Sequence, residues 1–151
     1  ENSDVVGQLT IPGVLEEVVV QRNNTYYLTR NYRGSSSDAG AVFVDESCSL
    51  RFPPENLLLR GQGAIEGKVF APLWQYATAG RDFVASATTA RLTTLYEEAD
   101  YVLFAVIRAS SNPSSPDYFN YAGYSSFATD ATCSPTSRRR APTACIPSMW
   151  M

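Results

Sequence analysis

The chain contains no histidine. That removes the usual general base near neutral pH and the commonest metal ligand. Neither a Cys-His nor a Ser-His pair can form. No convergent set of carboxylates takes their place, so neither a metal nor another cofactor is expected. Lysine is almost missing too: Lys68 stands alone among 12 basic residues, and the rest are arginine. A formal net charge of −3 speaks against general nucleic-acid binding. No run of about 18 apolar residues exists, which excludes a transmembrane helix. The longest apolar run, Tyr101 to Ile107, has the length of a buried strand.

What is present suits a folded domain. The 151 residues are 44% apolar and 18% charged, a globular composition. A chain of this length buries roughly 70% of its unfolded surface, enough for a core without staples. Three segments are expected: an extended lead-in over 1–12, one domain over 13–130, and an irregular Pro/Ser/Arg-rich tail over 131–151. The chain starts at Glu1 and not at Met, which reads as a processed protein whose targeting peptide is gone.

There are three cysteines. Cys133 and Cys145 flank Arg138-Arg139-Arg140. A disulfide between them would close a loop of about a dozen residues and stabilise by roughly 3 kcal/mol in the chain-entropy model. Cys48 would be left free in a strand. This usage points to a secreted protein or an organelle lumen, with the cytoplasm still open. Asn23-Asn24-Thr25 is a glycosylation sequon, meaningful only in a secreted eukaryotic chain.

Val14 to Arg33 carries two patterns. Val14, Leu15, Val18, Val19 and Arg22 suit a helix face; Val18–Val20 and Thr25–Leu28 suit two strands around Arg22-Asn23-Asn24. Asp38 could cap a short helix through Val44. Ser47 to Phe52 alternates like a strand and ends at Pro53-Pro54. Gly61 to Ala79 reads as a helix, with Ile65, Val69 and Leu73 at i, i+4 and i+8, broken or kinked at Pro72. Phe83 to Tyr96, Tyr101 to Arg108 and Tyr118 to Thr129 read as strands, with Glu97-Glu98-Ala99-Asp100 as a polar connection.

Gly61-x-Gly63 with Gly67 is no dinucleotide fingerprint, because the third glycine is one residue late; Gly67-Lys68-Val69 lacks the hydroxyl of a phosphate loop. The stretch "FVDESCSLRF…LRGQGAIEGKVF" instead resembles the NTF2-like superfamily, in its SnoaL and ketosteroid-isomerase branch. The matching features are Asp45-Glu46 as an acidic turn, the strand to Phe52, Pro53-Pro54, and Gly61-Gln62-Gly63-Ala64-Ile65 opening a helix. The likeness is best over Ala41 to Phe70 and follows in order to about Thr129. It implies an α+β cone: a curved mixed β-sheet wrapped on helices around an apolar pocket. Phe52, Ile65, Val69, Phe70, Trp74, Leu92, Phe104 and Tyr121 would line that pocket.

The resemblance also shapes the expected chemistry. The position of the family's Asp base holds Phe52, and Tyr27 falls near the family's tyrosine if Val14 to Arg33 is helical. The leading expectation is therefore a non-catalytic accessory or binding subunit of a protein complex, or a homodimer, with room for a small apolar ligand. The alternative is a SnoaL-type isomerase, cyclase or dehydratase using a pocket carboxylate, with Glu66, Asp45 and Tyr27 as catalytic candidates. Asp45 otherwise reads as a structural cap. Glu46, Asp82 and Asp100 complete the set of candidate catalytic carboxylates, although Glu97, Glu98 and Asp100 read rather as turn residues. Tyr118, Tyr121 and Tyr124 read as sheet packing or an interface. A different small ligand-binding β-barrel is the third reading.

Overall fold

The computed structural model describes residues 2–54, 56–63, 66–107, 109–110 and 112–120. Six strands make one sheet: β1 Val5–Ile11, β2 Leu15–Gln21, β3 Val42–Val44, β4 Leu59–Arg60, β5 Thr89–Thr94 and β6 Glu98–Val102. Their order across the sheet is β4-β3-β2-β1-β5-β6. All pairs are antiparallel except β2 with β3, which a crossover through residues 22–41 makes parallel. Two short helices, α1 Gln75–Thr78 and α2 Arg81–Ser86, lie between β4 and β5 in the chain.

Pro12 and Gly13 turn the chain from β1 into β2. The Val14 amide donates to the Ile11 carbonyl at 2.9 Å, and Gly13 takes a φ of +74° that L side chains disfavour. Val14 to Arg33 is thus not a helix. Val14 belongs to the turn, Leu15–Gln21 is β2, and only Tyr26–Leu28 forms a single 3-10 turn. The lead-in residues are part of a strand hydrogen-bonded on both sides.

The sheet carries apolar clusters on both faces. Leu15, Val19, Val42 and Val44 pack with Leu57–Leu59, Val69, Phe70, Leu73 and Leu92 on one side. Val20 and Phe43 pack with Tyr27 and Ala41 on the other. β3 is buried at all three positions, as a parallel strand covered on both faces should be.

Several expected elements change type. Residues 38–44 end in β3 and not in a helix, and Ser47 to Phe52 forms turns and bends. Among the described residues of 61–79, only Gln75–Thr78 is α-helical, preceded by a 3-10 turn at Ala71–Trp74 with Pro72 near its start. Gly67 has a φ of +83°, and a Cβ at Gly61 would lie 2.8 Å from Phe70 and Val69. Glycine here serves close packing and chain reversal, which defeats the helical spacing around it. Phe83 to Tyr96 splits into α2 and β5. Glu98–Asp100 lies in β6, and Phe104, Val106 and Ile107 are exposed beyond its end. Of Tyr118 to Thr129, Tyr118 makes a single bridge to Ser110; positions from 121 on lie outside the described residues.

The NTF2-like cone is therefore overturned. A curled mixed sheet, a half-barrel with few helices, stands in its place. Its longest described helix has six residues, too short to be wrapped by the sheet.

Gly7 is the close-approach point of the central strand, where a Cβ would collide with the Thr93 carbonyl oxygen. Gly7→Ala should therefore force β1 and β5 apart and cost about 2–3 kcal/mol. A chemical-denaturation midpoint checks this, with Gly13→Ala, which meets no neighbour, reporting backbone strain alone.

Candidate functional site

The end of β4 runs into Gly61-Gln62-Gly63, and this segment is sewn to the crossover. The Gln62 side-chain amide donates to the Leu28 carbonyl, while the Gln62 carbonyl accepts from the Phe70 amide at 2.8 Å. The Val69 amide donates to Ala39 at 3.1 Å, and Lys68 Nζ donates to the Asp38 carbonyl at 2.6 Å. These bonds make two walls of an open cleft of about 890 Å³. One wall is Asn31, Tyr32, Ser37 and Ala39–Ala41. The other runs from Glu66 through Trp74 to Thr78, and Glu17 and Val18 of β2 complete the lining. The volume lies in the range of ligand-binding clefts. Partial burial raises the Glu17 carboxyl above its ordinary range, so it holds a proton to higher pH than a surface glutamate.

A polar knot lies beside this scaffold, at the β3 terminus. Asp45 is buried, with its Oδ2 3.2 Å from Arg60 Nε and 3.1 Å from Asn24 Nδ2. The Ser47 hydroxyl and amide donate to its Oδ1 at 2.6 and 2.9 Å. Desolvation alone would raise its pKa. The Ser47 hydrogen bonds, the Arg60 charge and the Asn24 amide together outweigh that and hold the carboxyl below its ordinary value. Gln21 adds bonds to the carbonyls of Asp45 and Cys48. Among the described residues no group of three or more potential ligands could hold a metal ion.

The structure does not gather the three sequence-derived catalytic candidates. Glu66 is exposed at the rim of the cleft. Asp45 is neutralised within its knot. Tyr27 is buried across the sheet, donating to Asp4 at 2.8 Å and accepting from Asn2 at 2.7 Å, with its hydroxyl pKa raised chiefly by desolvation. The proposed pocket-lining residues scatter as well. Val69, Phe70 and Leu92 are core, Trp74 borders the open cleft, and Phe52 and Phe104 are 75% and 85% exposed. Ile65, Tyr121, Cys133 and Cys145 lie outside the described residues. Asp82 and Asp100 are on the surface, Asp100 paired with Arg91 at 2.7 Å. The walls of the cleft, Asn31 to Ala41 above all, were missed; the one signal there is the small, flexible run Gly34-Ser35-Ser36-Ser37.

No family model matches the chain. The sheet order and curl define a class all the same: this is the sortase β-barrel fold. The likeness in sequence is to sortase B. The chain is 27% identical to sortase B of Listeria monocytogenes over 113 residues, covering 74% of this chain and 45% of that protein. The structure of Listeria monocytogenes sortase B matches with a TM-score of 0.65 at 28% identity, over 74% of this chain and 63% of that one. A Bacillus anthracis sortase B structure matches with a TM-score of 0.63 at 29% identity, over 70% and 51%. The chain spans about half the length of the curated relative it matches. These findings overturn the NTF2-like resemblance. With it fall the accessory-subunit expectation and the SnoaL-type alternative, since a sortase relative is the likeness both lack.

Two outcomes are expected at these carboxylates. Asp45→Ala should destabilise by about 2 kcal/mol, because it removes the buried acceptor that Ser47, Asn24 and Arg60 share. The stabilisation from Asp45 is present above the unfolded carboxylate pKa and should fade as pH falls through its lowered folded value. Glu17 has the opposite sign: its raised pKa makes ionisation destabilising. Glu17→Gln should match the parent below the carboxylate range and melt higher than it above that range. Melting curves across pH check both.

Proposed function

We propose that the chain carries the barrel of a sortase-like cysteine transpeptidase that anchors proteins to a cell wall. The observation that carries this reading is the sortase B likeness in both sequence and fold over about three quarters of the chain. In such chemistry a cysteine thiolate attacks a peptide carbonyl carbon. The amine-bearing fragment leaves with a proton, and an acyl thioester remains. An acceptor amine then attacks the thioester, forms a new amide and returns the thiol.

The structure narrows the choice of thiol. Cys48 is free but 5% exposed, packed with Leu50 and Leu57 and fixed through its backbone to Asp45 and Gln21. A core thiol reaches no substrate. In this reading the nucleophile is a cysteine other than Cys48; within this sequence the candidates are Cys133 and Cys145, and a disulfide between them would be the silent, oxidised form. With no histidine in this sequence, the cations it has to favour a thiolate are its arginines and Lys68. The substrates would be proteins or peptides, bound in an extended stretch along the open cleft. Work at a cell wall agrees with export of the chain; no helix among the described residues is long and apolar enough to cross a membrane.

Reduced protein treated with iodoacetamide at neutral pH should be alkylated at Cys133 or Cys145, with Cys48 labelled only after unfolding. Peptide mapping reads the site. Incubation with a peptide library and triglycine as the acceptor amine should yield a triglycine-terminated product, lost on substituting the reactive cysteine by alanine. Preferential labelling of Cys48, or product formation that survives all three Cys→Ala changes, would sink the reading.

A further inference from the structure

The second cleft, of about 960 Å³, meets the first at Tyr32 and is lined by Asn2–Val5, Arg22, Tyr26, Tyr27 and Tyr32–Gly34. It draws on one dense stretch, Arg22 to Arg33, holding three arginines and three tyrosines in a chain of net charge −3. Each of these guanidinium groups lies against an aromatic ring: Arg22 and Arg30 over Tyr26 at 4.2 and 4.5 Å, and Arg33 over Tyr32 at 5.4 Å. Ring contact shields the flat face of a guanidinium and leaves its N–H edge free for an oxoanion.

Carboxylates do not use up this charge. Asp4, the one carboxylate lining the cleft, accepts the Tyr27 hydroxyl at 2.8 Å and sits 3.7 Å from Arg22. Among the described residues neither Arg30 nor Arg33 meets a carboxylate within 4.0 Å. Three arginines against one aspartate leave the neighbourhood at +2. A phosphate monoester carries about −1.5 to −2 near neutral pH, so it matches that charge where a single carboxylate does not.

The presenting loop is fixed in shape. Asn31 Oδ1 accepts from the amides of Arg33 and Ser35 at 3.0 and 3.1 Å, and the Gly34 amide closes a turn onto the Asn31 carbonyl at 2.9 Å. Gly34 has a φ of +82°, which the turn requires. Asn23 Oδ1 likewise caps the turn bearing Tyr26 and Tyr27 through the Thr25 and Tyr26 amides. The Tyr32 hydroxyl accepts from Arg33 Nε at 3.0 Å and keeps its own proton to donate.

The geometry points to a phosphate-ester site in this Arg/Tyr cleft. Arg22 and Arg33 hold the phosphate oxygens, Arg30 adds charge through its place on Tyr26, and Tyr32 donates to a ligand oxygen. Isothermal titration of the full chain with glycerol 3-phosphate at constant ionic strength tests it. Saturable binding is expected, weakened about tenfold in Arg33→Gln, which loses a charge-assisted hydrogen bond. Arg33→Lys should recover part of the loss. Arg81→Gln, outside the cleft, should bind as the parent does. Arg33 is exposed, so the melting temperature of Arg33→Gln should match the parent and separate ligand loss from unfolding. Three results would each overturn the proposal: no saturable binding, equal binding of glucuronate, or unchanged affinity in Arg33→Gln.

Discussion

The Asp45 carboxylate is the constraint on which the sheet's connectivity rests. β3 is three residues long and pairs in parallel with β2, a junction with few hydrogen bonds of its own. Asp45 follows directly and reaches Arg60 on β4, Asn24 in the crossover and Ser47 in the next turn. Gln21, the last residue of β2, bonds its backbone carbonyl. One residue thus ties the ends of three strands to the loop that joins two of them, β4 and the loop through its carboxylate and β2 through its carbonyl. Burying that charge is tolerable because its contacts with Ser47, Arg60 and Asn24 stabilise the ionised form.

Both clefts depend on the crossover that this knot fixes. Residues 31–41 form a wall of the first cleft, and residues 22–34 build much of the second. Tyr32 lines both. The crossover can hold a defined shape because its turns are capped by Asn23 and Asn31 and its hydrophobic underside, Tyr27 and Ala41, is packed on Val20 and Phe43. The two sites are therefore parts of one rigid connection, not independent loops.

How far the sequence could be read depends on burial. The boundary between residues 12 and 13 was legible, because the turn chemistry of Pro12-Gly13 is local. The type of Val14 to Arg33 was not. Val19 and Val20 are buried on opposite faces of the sheet, so β2 shows no clean alternation and its valines also fit a helix. The run from Ile65 to Leu73 misled in the other direction: Val69 and Leu73 are core residues at helical spacing on a chain that glycine and Pro72 hold in turns. Residues 101–107 were read as buried because they are apolar, yet Phe104 extends past the sheet edge. The site itself was least legible. Its walls come from segments some thirty residues apart, joined by hydrogen bonds onto the backbone carbonyls of Leu28, Asp38 and Ala39, acceptors that no side-chain pattern records.

The scarcity of lysine gains a meaning beside the first cleft. Under the transpeptidase reading proposed above, a catalyst that passes acyl groups to amines would be at risk of acylating itself. Lys68 is the single lysine of the chain, and its ammonium is held on the Asp38 carbonyl. The arginines that carry the remaining side-chain positive charge stay protonated and make no useful acyl acceptors. A surface so poor in nucleophilic nitrogen would leave an activated acyl group waiting for the amine brought by its proper acceptor.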